Sequence, residues 1–195
     1  MKKLIFSLLI CSVFISGCTD KSESAFTPLE ELPSDYSLSD AKADGCVVFE
    51  NSDITNGENF WDSFVEQTKR GDDAYVRYCN YYTIEDPSRY YPEYYEEIKD
   101  EYPKMYVHDL TFDGDKYTVR WFEDGTEITR EYRYMLKFDE KPQSERATYT
   151  QCTRYVLVND KDVTWDDIFR GMTSSVSCAF IDHLTVYHDY IYQDE

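Results

Sequence analysis

Apolar residues follow a helical period in one part of the chain and a strand period in most of the rest. Over residues 58–70 the apolar side chains fall on one face of a helix, and Gly71 follows as a stop signal. Over residues 74–84 apolar and polar residues alternate, which predicts a long strand. Shorter helices are predicted from Ser37, which begins a capping-box pattern, and from Thr164.

Two aspartate-glycine pairs predict that the following strands form a meander. Asp113-Gly114 and Asp124-Gly125 separate alternating runs, and this dipeptide is a strong hairpin signal. Further strands are predicted over 46–49, 104–112, 116–122, 127–138, 149–158 and 184–192. The whole pattern predicts a single α+β domain, in which an antiparallel sheet of about five to seven strands has two to three helices packed on one face.

Residues 85–103 interrupt this pattern as a proline-bounded insert that is rich in tyrosine. Tyr90, Tyr91, Tyr94 and Tyr95 are close together in its sequence. Tyrosine combines a rigid ring with a polar tip and is enriched at recognition surfaces. We therefore take these four residues as a candidate binding surface. The alternative is that they cover the insert and the sheet beneath it.

The N-terminal residues carry the pattern of a bacterial lipoprotein signal. Two lysines precede an apolar run over residues 4–15, which is shorter than the roughly 20 residues of a membrane span. The Ile-Ser-Gly-Cys at residues 15–18 resembles a lipobox, whose cysteine receives a diacylglyceryl group. Two acyl chains anchor a protein stably, whereas one does not. We predict that residues 1–17 are removed and that Cys18 attaches the protein to the lipid bilayer, on the extracytoplasmic side of the cell membrane.

The remaining chain divides into a polar tether and an acidic, aromatic domain. Residues 18–35 are predicted to be the tether, and residues 36–195 the folded domain. The chain has a net charge of −19, which becomes −21 when Lys2 and Lys3 leave with the signal. This charge disfavours nucleic acid as a partner and attracts cationic proteins or peptides. The 19 tyrosines and 11 phenylalanines exclude an acidic disordered tail, which would contain few aromatic residues.

Four cysteines remain in the predicted domain, namely Cys46, Cys79, Cys152 and Cys178. An even number in an exported protein is compatible with two disulfides, in any of three pairings. Isolated cysteines are also common as small buried residues. The sequence therefore marks all four as possible disulfide cysteines and leaves their pairing open.

The remaining chemically reactive residues form no catalytic or metal-binding signature. His108 alternates with Tyr106 and Leu110 on the buried side of its strand, so we predict a core histidine. His183 and His188 have a spacing that places them on opposite faces of a strand. The sequence contains no Gly-x-Ser-x-Gly, no phosphate-binding glycine loop and no His-Glu-x-x-His. We predict no catalytic residue, no metal and no cofactor.

Several short motifs lie between residues 39 and 138. They are Asp44-Gly45-Cys46-Val47-Val48, Asp53-Ile54-Thr55-Asn56, Phe64-Val65-Glu66 and Tyr82-Thr83-Ile84-Glu85-Asp86-Pro87. This set resembles a family of small lipoproteins of Gram-positive bacteria that carry a domain of unknown function. The resemblance implies export and a shared fold, but it implies no activity and no functional residues. The chain departs from the family pattern in the insert after Pro87 and in its C-terminal strand, helix and strand.

The leading functional hypothesis is a membrane-anchored, non-catalytic domain that binds an extracytoplasmic protein, peptide or glycan. One alternative is a cell-envelope hydrolase, because a chain with 39 acidic residues offers many carboxylate pairs. Another is an inhibitor of a cationic enzyme such as lysozyme, whose binding would weaken steeply with salt.

Overall fold

The fold combines α-helices with two β-sheets, and this confirms the predicted α+β class. The computed structural model describes residues 26–84, 86–142, 147–175 and 180–192. The signal segment, Cys18 and Cys178 lie outside these ranges. The described α-helices are α1 (Leu38–Asp44), α2 (Glu58–Arg70), α3 (Pro92–Ile98) and α4 (Trp165–Thr173). The described strands are β1 (Val47–Glu50), β2 (Asp53–Asn56), β3 (Ala74–Tyr82), β4 (Lys104–Phe112), β5 (Tyr117–Glu123), β6 (Thr126–Tyr132), β7 (Tyr134–Glu140), β8 (Tyr149–Val158) and β9 (His183–Tyr192).

The strands form a six-stranded sheet in the order β2-β1-β3-β4-β5-β6 and a three-stranded sheet in the order β7-β8-β9. All pairs are antiparallel except β1 with β3. The single strand that the sequence predicts over 127–138 is instead two strands, β6 and β7, which belong to different sheets. The break lies at Arg133, whose backbone N–H donates to the side chain of Asn159 (3.2 Å). Because apolar residues keep alternating across Arg133, the pattern does not reveal the break.

The main core is shared by the six-stranded sheet, α2 and the three-stranded sheet. Trp61 and Phe64 of α2 are buried there beside strand residues such as Leu110. The indole of Trp61 stacks on the ring of Tyr187 in β9, with their centroids 4.7 Å apart. Aromatic stacking of this kind joins α2 to the second sheet.

Helices α1 and α2 lie on opposite faces of the six-stranded sheet. Val47 and Phe49 of β1 belong to the main core with α2, whereas Val48 belongs to a second cluster with Ala41 of α1. Successive side chains of a strand point to opposite faces of its sheet. The packing on a single face that the sequence predicts is therefore not what the structure has, since α1 and α2 lie on either side of β1.

The N-terminal segment of the described chain lies on the α1 side of the sheet. The ring of Phe26 is 5.4 Å from that of Tyr75, and Leu29 is buried. The guanidinium of Arg77 donates to the backbone carbonyl of Thr27 (2.7 Å). The predicted tether over 18–35 is therefore too long, because its apolar residues gain burial against the sheet. We call residues 26–32 the strap.

The residues before α2 form the edge strand β2, Asp53–Asn56, and the side chain of Asn56 donates to the backbone carbonyl of Cys46 (2.9 Å). Gly57 precedes the helix with a φ of +78°. A Cβ at Gly57 would lie 2.5 Å from the oxygen of Cys46, so this position requires glycine.

Candidate functional site

The tyrosine-rich insert joins β3 to β4 and contains α3 between two short 3-10 helices, Pro87–Arg89 and Lys99–Glu101. Its four candidate tyrosines do not form one uniform surface. Tyr91 is 84% exposed and Tyr94 is 52% exposed, whereas Tyr90 and Tyr95 are half-buried. The ring of Tyr90 lies 6.2 Å from the rings of both Tyr94 and Tyr95. Tyr90 therefore contributes to the packing of the insert, and Tyr91 and Tyr94 are its outward-facing rings.

A groove with a volume of about 400 Å³ lies at the end of the six-stranded sheet from which the insert leaves. We call it the aromatic groove, and its lining residues come from β3, β4 and β5: Asn80, Tyr82, Tyr106, His108, Trp121, Phe122 and Glu123. Tyr82 and Tyr106 are 37% and 43% exposed, and their rings are 6.2 Å apart in an edge-to-face arrangement. No sequence pattern marks this groove, although alternation in β4 predicts that Tyr106 and His108 share one face.

His108 lies at the inner end of the aromatic groove. Its ring stacks on Tyr78, with centroids 4.6 Å apart and planes 2° apart, and lies 5.7 Å from the ring of Trp121. Burial lowers the pKa of His108 to about 4, so the imidazole is neutral at physiological pH. Its Nδ1 is buried without a hydrogen-bond partner among the described residues. His108 therefore faces the side of the strand that the sequence predicted, but it is half-buried and lines the groove instead of lying in the core.

The charge of the aromatic groove is negative. Among the described residues that line it, Glu123 is the one with a charged side chain at neutral pH, because His108 is neutral. The guanidinium of Arg130 lies near the groove, 5.8 Å from the ring of Trp121. This contact is a cation–π interaction that the fold itself makes. The rings left open to solvent are those of Tyr82 and Tyr106.

A buried ion pair lies on the opposite face of the strands that form the groove. Arg77 and Asp109 are each 2% exposed, and the guanidinium donates to both carboxylate oxygens, at 2.6 and 3.0 Å. The hydroxyl of Tyr75 donates to the same carboxylate (2.6 Å). The buried carboxylate of Asp109 thus accepts hydrogen bonds from two side chains. Leaving any of these buried groups without its partner would cost free energy of folding. This network holds β3 against β4 behind the groove.

A second cleft, of about 240 Å³, lies on the three-stranded sheet. Arg154 lies between the carboxylate of Glu140, at 2.9 Å, and the ring of Trp165, at 4.5 Å from its centroid. Burial raises the pKa of Glu140 and the positive charge of Arg154 opposes that shift. Nothing in the sequence distinguishes Glu140 from the other acidic residues, since its environment depends on the pairing of β7 with β8.

The cysteines that the structure describes are buried. Cys46 and Cys79 belong to the core cluster under α1, and Cys152 lies in the other sheet. Burial raises the pKa of the Cys79 thiol to about 12, which suppresses the reactive thiolate. No disulfide joins Cys79 to Cys152. Cys178 lies outside the described residues, and the predicted disulfides stay a prediction.

Comparison with protein-family models, curated proteins and solved structures finds no match to this chain. The resemblance to Gram-positive lipoproteins therefore stays a prediction. Within the described ranges, no three or more His, Cys, Asp or Glu side chains are placed to hold a metal ion. The described helices include none with the length and hydropathy to cross a membrane.

Proposed function

We propose that this protein is a lipoprotein anchored through Cys18 at the outer side of the cell membrane, and that its domain binds an extracytoplasmic protein, peptide or glycan without catalysis. The observation that supports binding is the grouping of exposed aromatic side chains at one end of the six-stranded sheet. Tyr82 and Tyr106 open onto the aromatic groove, while Tyr91 and Tyr94 are exposed on the insert that joins the same two strands. Grouped exposed apolar side chains mark interaction surfaces, whereas scattered ones do not.

Affinity capture from envelope extracts tests the binding function. The bait should contain residues 26–195, because a shorter one would remove the strap. We expect a captured component to be lost when Tyr91 and Tyr94 are changed to serine, or when Tyr106 is. Tyr134→Ser, at a tyrosine that is 37% exposed on the other sheet, is the matched control and should capture normally. Equal capture by all variants would contradict the proposal.

Anchoring is tested separately with the full chain. The Cys18→Ser variant should move from the membrane fraction to the soluble extracytoplasmic fraction, because serine has no sulfur to receive a diacylglyceryl group. Cys79→Ser is the control, since a buried domain cysteine takes no part in anchoring. Retention of Cys18→Ser in the membrane fraction would contradict lipid attachment at this residue.

The second candidate function is that of an envelope hydrolase, and the environment of Glu140 favours it. Its carboxyl lies in a cleft beside Trp165, and both burial and the nearby Asp166 raise its pKa. A raised pKa suits the general acid of a glycoside hydrolase. The test is release of reducing ends from purified envelope glycan, which Glu140→Gln should abolish. Equal release by the unchanged domain and by Glu140→Gln would exclude this role of Glu140.

A further inference from the structure

We propose that the aromatic groove binds an organic ammonium group, such as that of a lysine side chain or a quaternary amine. This inference rests on the proposed binding function and adds the chemical class of the ligand. The groove presents two open tyrosine rings, an amide and a carboxylate, which come from neighbouring strands. This combination favours a cation over a neutral or an anionic ligand.

Two open tyrosine rings make the groove suitable for a cation. Tyr82 and Tyr106 lie 6.2 Å apart, with planes inclined by 63°, so they form two walls instead of one flat platform. An ammonium group within about 6 Å of a tyrosine ring is attracted by the negative face of the ring. The contact between Arg130 and Trp121 is an example of the same attraction at the edge of this groove. Because Trp121 already has a cationic partner, the tyrosines are the rings available to a ligand.

The charge of the protein also favours a cationic ligand. Glu123 brings a carboxylate to the lining of the groove, and Arg130 at the edge of the groove interacts with that carboxylate. The chain as a whole has a net charge of −19. This net charge attracts a cationic ligand over long range and repels an anionic one. Asn80 also lines the groove, and an asparagine amide can accept from the N–H groups of a primary ammonium.

The paired strands hold the side chains of the aromatic groove in position before a ligand binds. Asn80 is paired directly with Tyr106, and His108 with Trp121. His108 is held between Tyr78 and Trp121 at the inner end of the groove. Side chains that are fixed in advance lose little conformational entropy on binding. The groove is thus organised by the sheet and not by the insert.

The test compares choline with its uncharged isostere, 3,3-dimethylbutan-1-ol, in an NMR titration of the domain over residues 26–195. The indole resonance of Trp121 reports binding, and that of Trp165 in the other cleft is the internal control. We expect saturable shifts at Trp121 with choline and binding at least about 5-fold weaker with the isostere. A short peptide with one lysine and its acetyl-lysine counterpart show whether a primary ammonium on a polypeptide binds as well. The free sugar N-acetylglucosamine tests for a neutral glycan.

Two variants and one control locate the ligand. Tyr106→Leu keeps an apolar side chain but removes a ring, and should weaken choline binding about 5-fold. Glu123→Gln should weaken it about 2-fold to 3-fold at low salt, with a smaller effect at high salt. Tyr134→Leu, on the other sheet, should leave it unchanged.

Equal binding of choline and its isostere, or stronger binding of the sugar, would overturn the assignment of an ammonium ligand. Choline binding that Tyr106→Leu does not weaken would overturn the location. Neither result would contradict the proposed binding function, which depends on capture by the exposed tyrosines. Conversely, failure of envelope capture with intact choline binding would contradict the proposed protein, peptide or glycan partner and leave the groove chemistry supported.

Discussion

The paired strands β3 and β4 present two different surfaces to their surroundings. On one face, Arg77 and Asp109 are buried beneath the strap and make three polar contacts with each other and with Tyr75. On the other face, beyond the main core, Tyr82 and Tyr106 are left open. The first surface joins the strands through groups that cannot be removed without cost, and the second carries side chains that the fold does not need to cover. We therefore expect substitutions at Arg77 or Asp109 to reduce mainly the stability of the fold. Substitutions at Tyr82 or Tyr106 should reduce mainly ligand binding.

The largest effect is expected for Asp109→Ala, which leaves the guanidinium of Arg77 buried without its carboxylate. Removing one partner of a buried ion pair costs about 3–5 kcal/mol in the free energy of unfolding. Urea unfolding followed by circular dichroism measures this loss.

Two further variants test whether the cost comes from the unpaired charge. The double change Arg77→Met with Asp109→Leu should lose much less than Asp109→Ala, because no buried charge remains. Glu127→Ala removes an exposed carboxylate 3.8 Å from Arg120, and should change the free energy of unfolding by no more than about 0.5 kcal/mol. A loss below about 1 kcal/mol for Asp109→Ala would show that the pair does not hold the strands together.

The second largest effect on the free energy of unfolding is expected from the titration of His108. The pKa of His108 is about 4 in the folded protein and near 6.5 when the chain is unfolded. Between these values the unfolded chain binds the extra proton, so stability is complete above pH 6.5 and is lost as pH falls towards 4. The loss from this residue is up to about 3 kcal/mol. Urea unfolding between pH 4 and 7 measures it.

His108→Phe separates this contribution from that of the many carboxylates. Its free energy of unfolding should fall less steeply than that of the unchanged protein over the same pH range. Burial also lowers the pKa of His188, so part of the slope should remain. Tyr134→Leu, on the other sheet, is the control, because it leaves the surroundings of His108 unchanged and should keep the full slope. Identical slopes with and without His108 would contradict its burial as a neutral ring.

The elements with local signals could be predicted from the sequence. The helix Glu58–Arg70 and the strand Tyr149–Val158 have the predicted bounds, because a helical period and alternation are set by nearby residues. The change of sheet at Arg133 could not be predicted, since alternation continues through it. The partners of β7 and the position of α1 depend on contacts between residues far apart in the chain.

The candidate site was only partly predictable for the same reason. Alternation in β4 predicted that His108 faces the interior, and its stacking on Tyr78 agrees. The sequence also marked the tyrosines of the insert, but it did not separate the packed Tyr90 from the exposed Tyr91. The aromatic groove depends on which part of the sheet is left uncovered by the second sheet, and no local pattern encodes that.

A smaller loss is expected in the strap. Leu29→Ala removes a buried side chain in the short 3-10 helix Leu29–Glu31 of the strap, and should cost about 2 kcal/mol in the free energy of unfolding. Leu32→Ala, at a half-buried position of the same segment, is the matched control and should cost less. If both variants are as stable as the unchanged domain, residues 26–32 belong to the predicted tether, and the domain begins near Tyr36.

The smallest effect on stability is expected for the tyrosines of the insert. Changing Tyr91 and Tyr94 together to serine should alter the free energy of unfolding by no more than about 0.5 kcal/mol, because both rings are mainly exposed. Tyr90→Ser should cost more, since its half-buried ring contacts two other tyrosines. Thermal and urea unfolding of the three proteins measure the difference. A double variant that unfolds as easily as Asp109→Ala would place these rings among the structural contacts. A double variant that keeps its stability but loses its captured partner would instead separate recognition from folding on the two surfaces.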